Sequence, residues 1–405
     1  MRKLPLLSFV FVYTVAYGVN TINGTDGHDV IDGTLGDDVI IGGPGYDTLD
    51  GLAGDDTFMV SGIEQGFDTI IGGAGQDVIL GSAGDDDFNL YGLNLASGIE
   101  RIDGQTGVNR IMGSDYDHTW DFSNVQLINI SEVNGQGGHD TITGSQGNDV
   151  IIGGPGYDTL AGEAGDDVFL IFGQKTSFDS IKGGPGFDVI QGSEHDDDIS
   201  LFSLNQASSI ERIDGGNGFN RILGDDYDHT WDFSNVELLN INEINGQQGH
   251  DNITGSAASD IIIGGPGYDT LNGGMGDDIF KVIGHDHGFD SIKGGTGFDI
   301  ILGSDGDDDF GLYTLNNASS IERIDGGSGQ NRIMGSGYDG TWDFSQVELI
   351  NIAAIDGQGG HDNITGSIAG DVIIGGPGYD TLAGEAGDDV FLIFGQKTSF
   401  DSIKG

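Results

Sequence analysis

Gly24-Thr25-Asp26-Gly27-His28-Asp29-Val30-Ile31-Asp32 runs directly into Gly33-Thr34-Leu35-Gly36-Asp37-Asp38-Val39-Ile40-Ile41. Two more units follow in phase, Gly42-Gly43-Pro44-Gly45-Tyr46-Asp47-Thr48-Leu49-Asp50 and Gly51-Leu52-Ala53-Gly54-Asp55-Asp56-Thr57-Phe58-Met59. Each unit has nine residues, with glycine at positions one and four, aspartate at six and a large apolar residue at eight. Six residues rich in Gly and Asp make a turn, because glycine accepts positive φ and aspartate bonds nearby backbone. The last three make a very short strand. In a strand, side chains alternate between faces, so Ile40 points one way while Val39 and Ile41 point the other. Two strand–turn units then complete one coil, and stacked coils form two parallel sheets with the position-eight side chains between them. A single unit cannot bury its apolar face, so stability comes from stacking.

The pattern extends outward from this stretch. Two further units start at Gly72 and Gly81; the same four-plus-two grouping starts at Gly135 and Gly183 and again at Gly246 and Gly294; a last group of four begins at Gly357. Trp120, Trp231 and Trp342 are 111 residues apart, as are Glu100, Glu211 and Glu322. Long-period self-similarity of this kind signals a repeat architecture. The expected fold is therefore all-β, a parallel β-roll or β-helix solenoid of tandem 111-residue modules spanning residues 20–130, 131–241, 242–352 and, in part, 353–405. Residues 371–405 copy 149–183 without a change, and the chain stops partway through a repeat, so a piece of a longer array is expected.

The chain has 76 glycines among 405 residues and a formal charge of −52. Such a charge repels itself in a compact state unless cations offset it. The regular Val, Ile, Leu and Phe between the acidic residues separate this pattern from a solvated acidic tail. Nucleic acid is an unsuitable partner, since phosphate binding needs Lys/Arg patches. There is no cysteine, so neither disulfides nor thiolate sites hold the fold. Met1-Arg2-Lys3, the apolar run Leu4 to Ala16 and Thr14-Val15-Ala16 read as an export signal within residues 1–19. The alternative is an apolar cap on the solenoid. The apolar run is shorter than the roughly 20 residues of a membrane span, and no other stretch is a transmembrane candidate.

Consecutive turns alternate between the two edges of the roll, so Asp29 shares an edge with Asp47, and Asp38 with Asp56. Stacked carboxylates are unfavourable without a cation. Carboxylates amid exposed backbone carbonyls make an all-oxygen environment that suits Ca2+; Mg2+ keeps its waters, and Zn2+ prefers His or Cys.

These units resemble the Gly-Gly-x-Gly-x-Asp-x-apolar-x repeat of the RTX, or haemolysin-type, calcium-binding family, whose pattern recurs more than twenty times here. The resemblance implies a β-roll with Ca2+ ions held between turns two units apart, by turn carbonyls and by position-six carboxylates. Here those are Asp29, Asp38, Asp47, Asp56, Asp77 and Asp86, then Asp140, Asp149, Asp158, Asp167, Asp188 and Asp197. Asp251, Asp260, Asp269, Asp278, Asp299 and Asp308 follow, and last Asp362, Asp371, Asp380 and Asp389. His195 and Ala258 replace the position-four glycine of two units, where weaker sites are expected. Phe67-Asp68, Phe178-Asp179 and Phe289-Asp290 keep an aspartate without the full turn. The C-terminal export signal usual in the family is not visible.

The stretch from Leu90 to Asn134 departs from consensus. Gly104 to Met112 keeps the frame but places Asn109 at position six with Arg110 next, and Asn220-Arg221 and Asn331-Arg332 repeat this. A metal-free coil is expected there, with arginine in place of calcium as counter-charge. Trp120, Trp231 and Trp342 are expected in the core, since Trp120 alternates onto the same face as Phe122; a carbohydrate-stacking surface is the competing reading. His28, His139, His250 and His361 read as exposed turn residues. His118 and His229 become Gly340 in the third copy, so no shared catalytic role follows. Carboxylates such as Asp85-Asp86-Asp87 recur in every turn and do not mark an acid/base pair, and no nucleophile elbow, phosphate loop or zinc-protease motif is present.

The expected function is that of a calcium-dependent structural or adhesive module of a secreted protein, extracellular or at the cell surface, with cell-surface or matrix polysaccharide as a conceivable partner and no catalytic role in this chain. The alternative is an accessory region of a larger secreted enzyme or toxin of the alginate epimerase, protease, lipase or haemolysin type, with the catalytic domain beyond residue 405.

Overall fold

A computed structural model describes residues 19–63, 66–173, 178–284, 288–393 and 401–405. Residues 1–18, which carry the expected export signal, lie outside the described residues. The described chain folds into short parallel strands, most of three or four residues, joined by turns. Three single 3-10 turns interrupt them, at Leu95–Ser97, Gln206–Ser208 and Asn317–Ser319.

The backbone divides into two compact units. One reaches to about residue 193 and includes 207–212; the other holds 194–206 and continues from 213 to the end. Within the first unit, one sheet takes Asn20–Asn23, Asp38–Ile41, Thr57–Met59, Val78–Leu80, Arg101–Asp103 and Gln126–Ile128 in that order. The strands between them in sequence join a second sheet, except Thr119–Asp121, which begins a third. In the one, Ile40 lies opposite Phe58 and Phe58 opposite Ile79. In the other, Ile31 lies opposite Leu49 and Leu49 opposite Ile70. The second unit repeats the rule, with Ile253 opposite Leu271 and Leu271 opposite Ile292. Within the aspartate repeats sequential strands thus alternate between two sheets, as two units per coil requires, while Arg101–Asp103, Arg110–Met112 and Thr119–Asp121 fall in three successive sheets. Each parallel crossover is made by the opposite strand and its two turns, instead of the usual helix.

The core is the position-eight column. Ile40, Phe58, Ile79, Ile102, Ile111, Ile142 and Phe169 are fully buried, and each such side chain contributes about 1.5–3 kcal/mol of transfer free energy. Trp120, Trp231 and Trp342 lie in this core. Their indole N–H groups donate to the carbonyls of Leu90, Leu201 and Leu312, at 3.2, 3.2 and 3.1 Å. A buried indole needs such a partner. None of the three presents a face to solvent, which removes the carbohydrate-stacking reading of these residues. His118 and His229 are also buried and stack on Trp120 and Trp231, with centroids 5.1 and 4.9 Å apart. Among the described residues no helix is long and apolar enough to cross a membrane.

Candidate metal centre

The turns place the position-six side chains in columns along the edges. Asp29 donates its backbone N–H to Asp47 Oδ1 at 2.9 Å, and Asp38 to Asp56 Oδ1 at 2.8 Å. Asp56 donates to Asp77 at 2.8 Å, Asp149 to Asp167 at 2.8 Å and Asp167 to Asp188 at 2.9 Å. Further on, Asp251 donates to Asp269 and Asp260 to Asp278, both at 2.8 Å. One oxygen of each accepting carboxylate therefore fixes the turn two units before it. All the expected carboxylates are buried except Asp389, which is half-buried.

The other oxygen carries the chemistry. In Asp47, Asp56, Asp77, Asp140, Asp158, Asp167, Asp188, Asp251, Asp269, Asp278, Asp299, Asp362 and Asp380, Oδ2 is buried and accepts no hydrogen bond. A buried carboxylate oxygen without a partner is costly. It faces more oxygen: a Cβ added at Gly357 would lie 2.5 Å from Asp362 Oδ2 and 2.8 Å from the Gly375 carbonyl oxygen. The missing glycine side chain leaves a cradle lined by a carboxylate and by the carbonyl of the turn two units on. No three His, Cys, Asp or Glu side chains gather to hold a metal among the described residues, and the oxygens that face these carboxylates are backbone carbonyls, as at Gly375. Such hard oxygen donors fit Ca2+ and not Zn2+.

Burial drives the carboxylates up. Desolvation, partly offset by the backbone N–H bond, brings Asp56, Asp167 and Asp269 to about 6. Asp140, Asp251, Asp278 and Asp362 rise to about 7 for the same reason, with neighbouring carboxylates adding to it.

The columns contain acids that the repeat spacing did not reveal. Asp47 donates to Asp68 Oδ1 at 2.9 Å, Asp158 to Asp179 at 3.1 Å and Asp269 to Asp290 at 3.0 Å. These three hold position six in register although extra loop residues precede them. Only the Phe-Asp pair with an apolar residue two places later, as in Phe67-Asp68-Thr69-Ile70, marks them in the sequence. Asp68 and Asp179 reach about 7 and Asp290 about 8 through desolvation. Glu100, Glu211 and Glu322 take the next place, each accepting through Oε2 the N–H of Asp77, Asp188 or Asp299, at 2.7, 2.8 and 2.8 Å.

The Asn turns differ. Asn109, Asn220 and Asn331 are fully buried. Their Oδ1 accepts the N–H of Asp86, Asp197 and Asp308, at 3.1, 3.0 and 3.0 Å. Their amide nitrogen donates to the carbonyl of Asn129, Asn240 or Asn351, at 3.0, 3.1 and 3.1 Å. The expected counter-charge role of the arginines is not found there. Arg110 lies on the strand and makes a two-pronged bond to Asp87 at 2.8 and 2.9 Å; Arg221 and Arg332 pair with Asp198 and Asp309. The asparagine amide already supplies the donors within the turn. The position-five histidines are exposed, and His28 and His139 accept through Nδ1 the N–H of Tyr46 and Tyr157, at 3.0 and 2.9 Å.

A family model for the RTX calcium-binding nonapeptide repeat matches residues 16–49, 32–61, 64–91, 134–169, 176–201, 242–280, 288–311 and 365–392, more than half of the chain. The chain belongs to the RTX calcium-binding repeat family. Its repeats are calcium-binding structural units, and their number indicates several Ca2+ ions per chain. No curated protein matches the sequence. Among solved structures, the chain is similar to the X-ray structure of a hyperactive, Ca2+-dependent, β-helical antifreeze protein from an Antarctic bacterium. The match covers 96% of this chain and 89% of that one at 16% identity, with a TM-score of 0.16, too low to guide the reading of this fold.

Proposed function

We propose that this RTX chain is a calcium-dependent folding module of a secreted protein, with a structural or adhesive role outside the cell. The observation that carries the calcium part is the set of buried Oδ2 oxygens with no hydrogen-bond donor. The turn carboxylates, together with turn carbonyls, would hold the ions. Bound Ca2+ would supply positive charge to oxygens that otherwise face one another. Without it, the columns concentrate part of a −52 charge in a desolvated place, and the expanded chain is favoured. Millimolar extracellular calcium matches the weak end of protein calcium sites, which supports folding after export.

The test is circular dichroism of the full chain during a Ca2+ titration from a chelated start. The expected result is a β signal that appears with Ca2+ and not with equal Mg2+. A β signal unchanged by chelation at neutral pH overturns the proposal.

A further inference from the structure

The aspartate turns fall into two classes, divided by position two of the unit. In the thirteen turns with an unpartnered Oδ2, the position-two residue is left-handed. Examples are Leu52 at φ 71°, Gly154 at 97°, Glu163 at 73° and Gln247 at 73°. Its N–H does not reach the carboxylate. Eight other turns have Ser or Thr at position two, and Thr25, Thr34, Ser82, Ser145, Ser256, Ser304 and Ser367 are seven of these. None of these seven has a positive φ. Each donates its N–H to Oδ2 of its own turn's aspartate, at 2.6 Å in six cases and 2.7 Å for Ser304. The hydroxyl adds a second donor, as from Ser145 to Asp149 Oδ1 at 3.1 Å.

We propose that position two is the specificity switch of the calcium ladder: Ser or Thr there closes the carboxylate on its own turn, so that Asp29, Asp38, Asp86, Asp149, Asp260, Asp308 and Asp371 do not offer Oδ2 to an ion. This rests on the calcium reading above and narrows it. An N–H aimed at Oδ2 puts a positive hydrogen where a cation would stand, and a charge-assisted bond of this length is among the stronger ones in proteins. A left-handed residue turns that donor away and leaves the oxygen to the metal. Few side chains tolerate that φ, which is why glycine holds the position in many of the open turns. The closed turns have a place in the fold as well. Asp149 precedes Asp167 and Asp188 on its edge, and Asp260 precedes Asp278 and Asp299. Asp149 and Asp260 thus each lead a run of open turns, whereas Asp86 and Asp308 precede the asparagine turns of Asn109 and Asn331, so the ion array is built in segments.

Native mass spectrometry of the calcium-loaded full chain counts the ions. Replacing Ser145, Ser256 and Ser367 together by glycine removes the hydroxyls and frees position two to become left-handed. The expected count rises by three. Replacing the same three by alanine removes the hydroxyls but keeps a side chain that disfavours positive φ, and with it the N–H bonds, so the count stays that of the wild type. If the triple glycine variant does not fold in calcium, Ser145→Gly alone is expected to add one ion. A wild-type count in the folded glycine variants, or an equal gain in the alanine variant, overturns the switch while leaving the calcium reading intact. A wild-type chain that binds no ion overturns the calcium reading, and the switch with it.

Discussion

The Asp362 turn and the Asn220 turn share a frame, a burial and a cradle, and differ in one group. A Cβ at Gly357 would meet Asp362 Oδ2 at 2.5 Å and the Gly375 carbonyl oxygen at 2.8 Å; one at Gly215 would meet Asn220 Nδ2 and the Asn240 carbonyl oxygen, both at 2.6 Å. In the first turn two oxygens face each other with no hydrogen between them. In the second, an amide donates to the carbonyl. The same backbone is thus completed either from within or from outside, and the choice rests on replacing one oxygen by an NH2 group. The fold tolerates both because the apolar column behind the turns does not depend on which is used.

Protons should erase the difference most strongly. The open carboxylates rise from an ordinary 3.8 to about 6 in Asp56 and about 7 in Asp140 and Asp251 through desolvation. Their folded-state values lie above the unfolded ones, so the metal-free fold takes up protons on forming. Their contribution is full below the ordinary value and lost as pH rises through about 6 to 7. In chelator, the β signal and melting temperature should increase from pH 8 to pH 5, many carboxylates acting together. A metal-free melting temperature that is flat over that range would contradict this. In limiting calcium the trend reverses, because protons compete with the ion for Oδ2.

A second break strikes the core, not the turn. Trp120→Ala removes a buried indole and its bond to the Leu90 carbonyl. Cavity formation by such a change costs about 3–5 kcal/mol. Calorimetry in saturating calcium should show this loss undiminished, since the packing it removes is not supplied by metal. Restoration of the wild-type melting temperature by added calcium would mean that the turns, and not the core, set stability in this stretch.

The comparison between turns can also be made within one column. Asp167→Asn keeps the acceptor for the Asp149 N–H while removing the charge. Without calcium the variant should be more stable than the wild type, by about 1–3 kcal/mol, the scale of an unsatisfied buried polar group. With calcium it should be less stable and carry fewer ions. Chemical denaturation in chelator and in calcium reads both signs, and the same sign in both would refute the equivalence of amide and ion.

How much of this was legible in the sequence depends on spacing. Position eight as core and position six as a column follow from an unbroken period, and Ile40 and Asp38 lie where the period puts them. Asp68 was visible as an aspartate without the full turn but stood outside the ligand set because loop residues precede it, and Glu100 stood outside it because a 3-10 turn at Leu95–Ser97 stands where the repeat turn would be. His118 occupies position six of a unit starting at Gly113, and its backbone N–H donates to Asp140 Oδ1 at 2.7 Å. With no aspartate there, the frame did not show. The split between open and closed turns depends on the φ of position two, a backbone property that residue type alone only biases.

The arginines give the smallest and most discriminating effect. Their place directly after Asn109, Asn220 and Asn331 made them counter-charges for the turn, yet one residue's step along a strand reverses the facing of a side chain. Arg110 is therefore carried outward to Asp87, on the neighbouring strand, where register pairs the two residues. The arginine end of that pair is about one-third exposed, and exposed pairs contribute about 0–1 kcal/mol. Arg110→Ala should thus lower the melting temperature slightly and leave the ion count unchanged. A variant that gains an ion, or unfolds, would restore arginine as the local substitute for calcium. The absence of both would place the whole substitution in the asparagine amide, which is where the Nδ2 bond to the Asn129 carbonyl puts it.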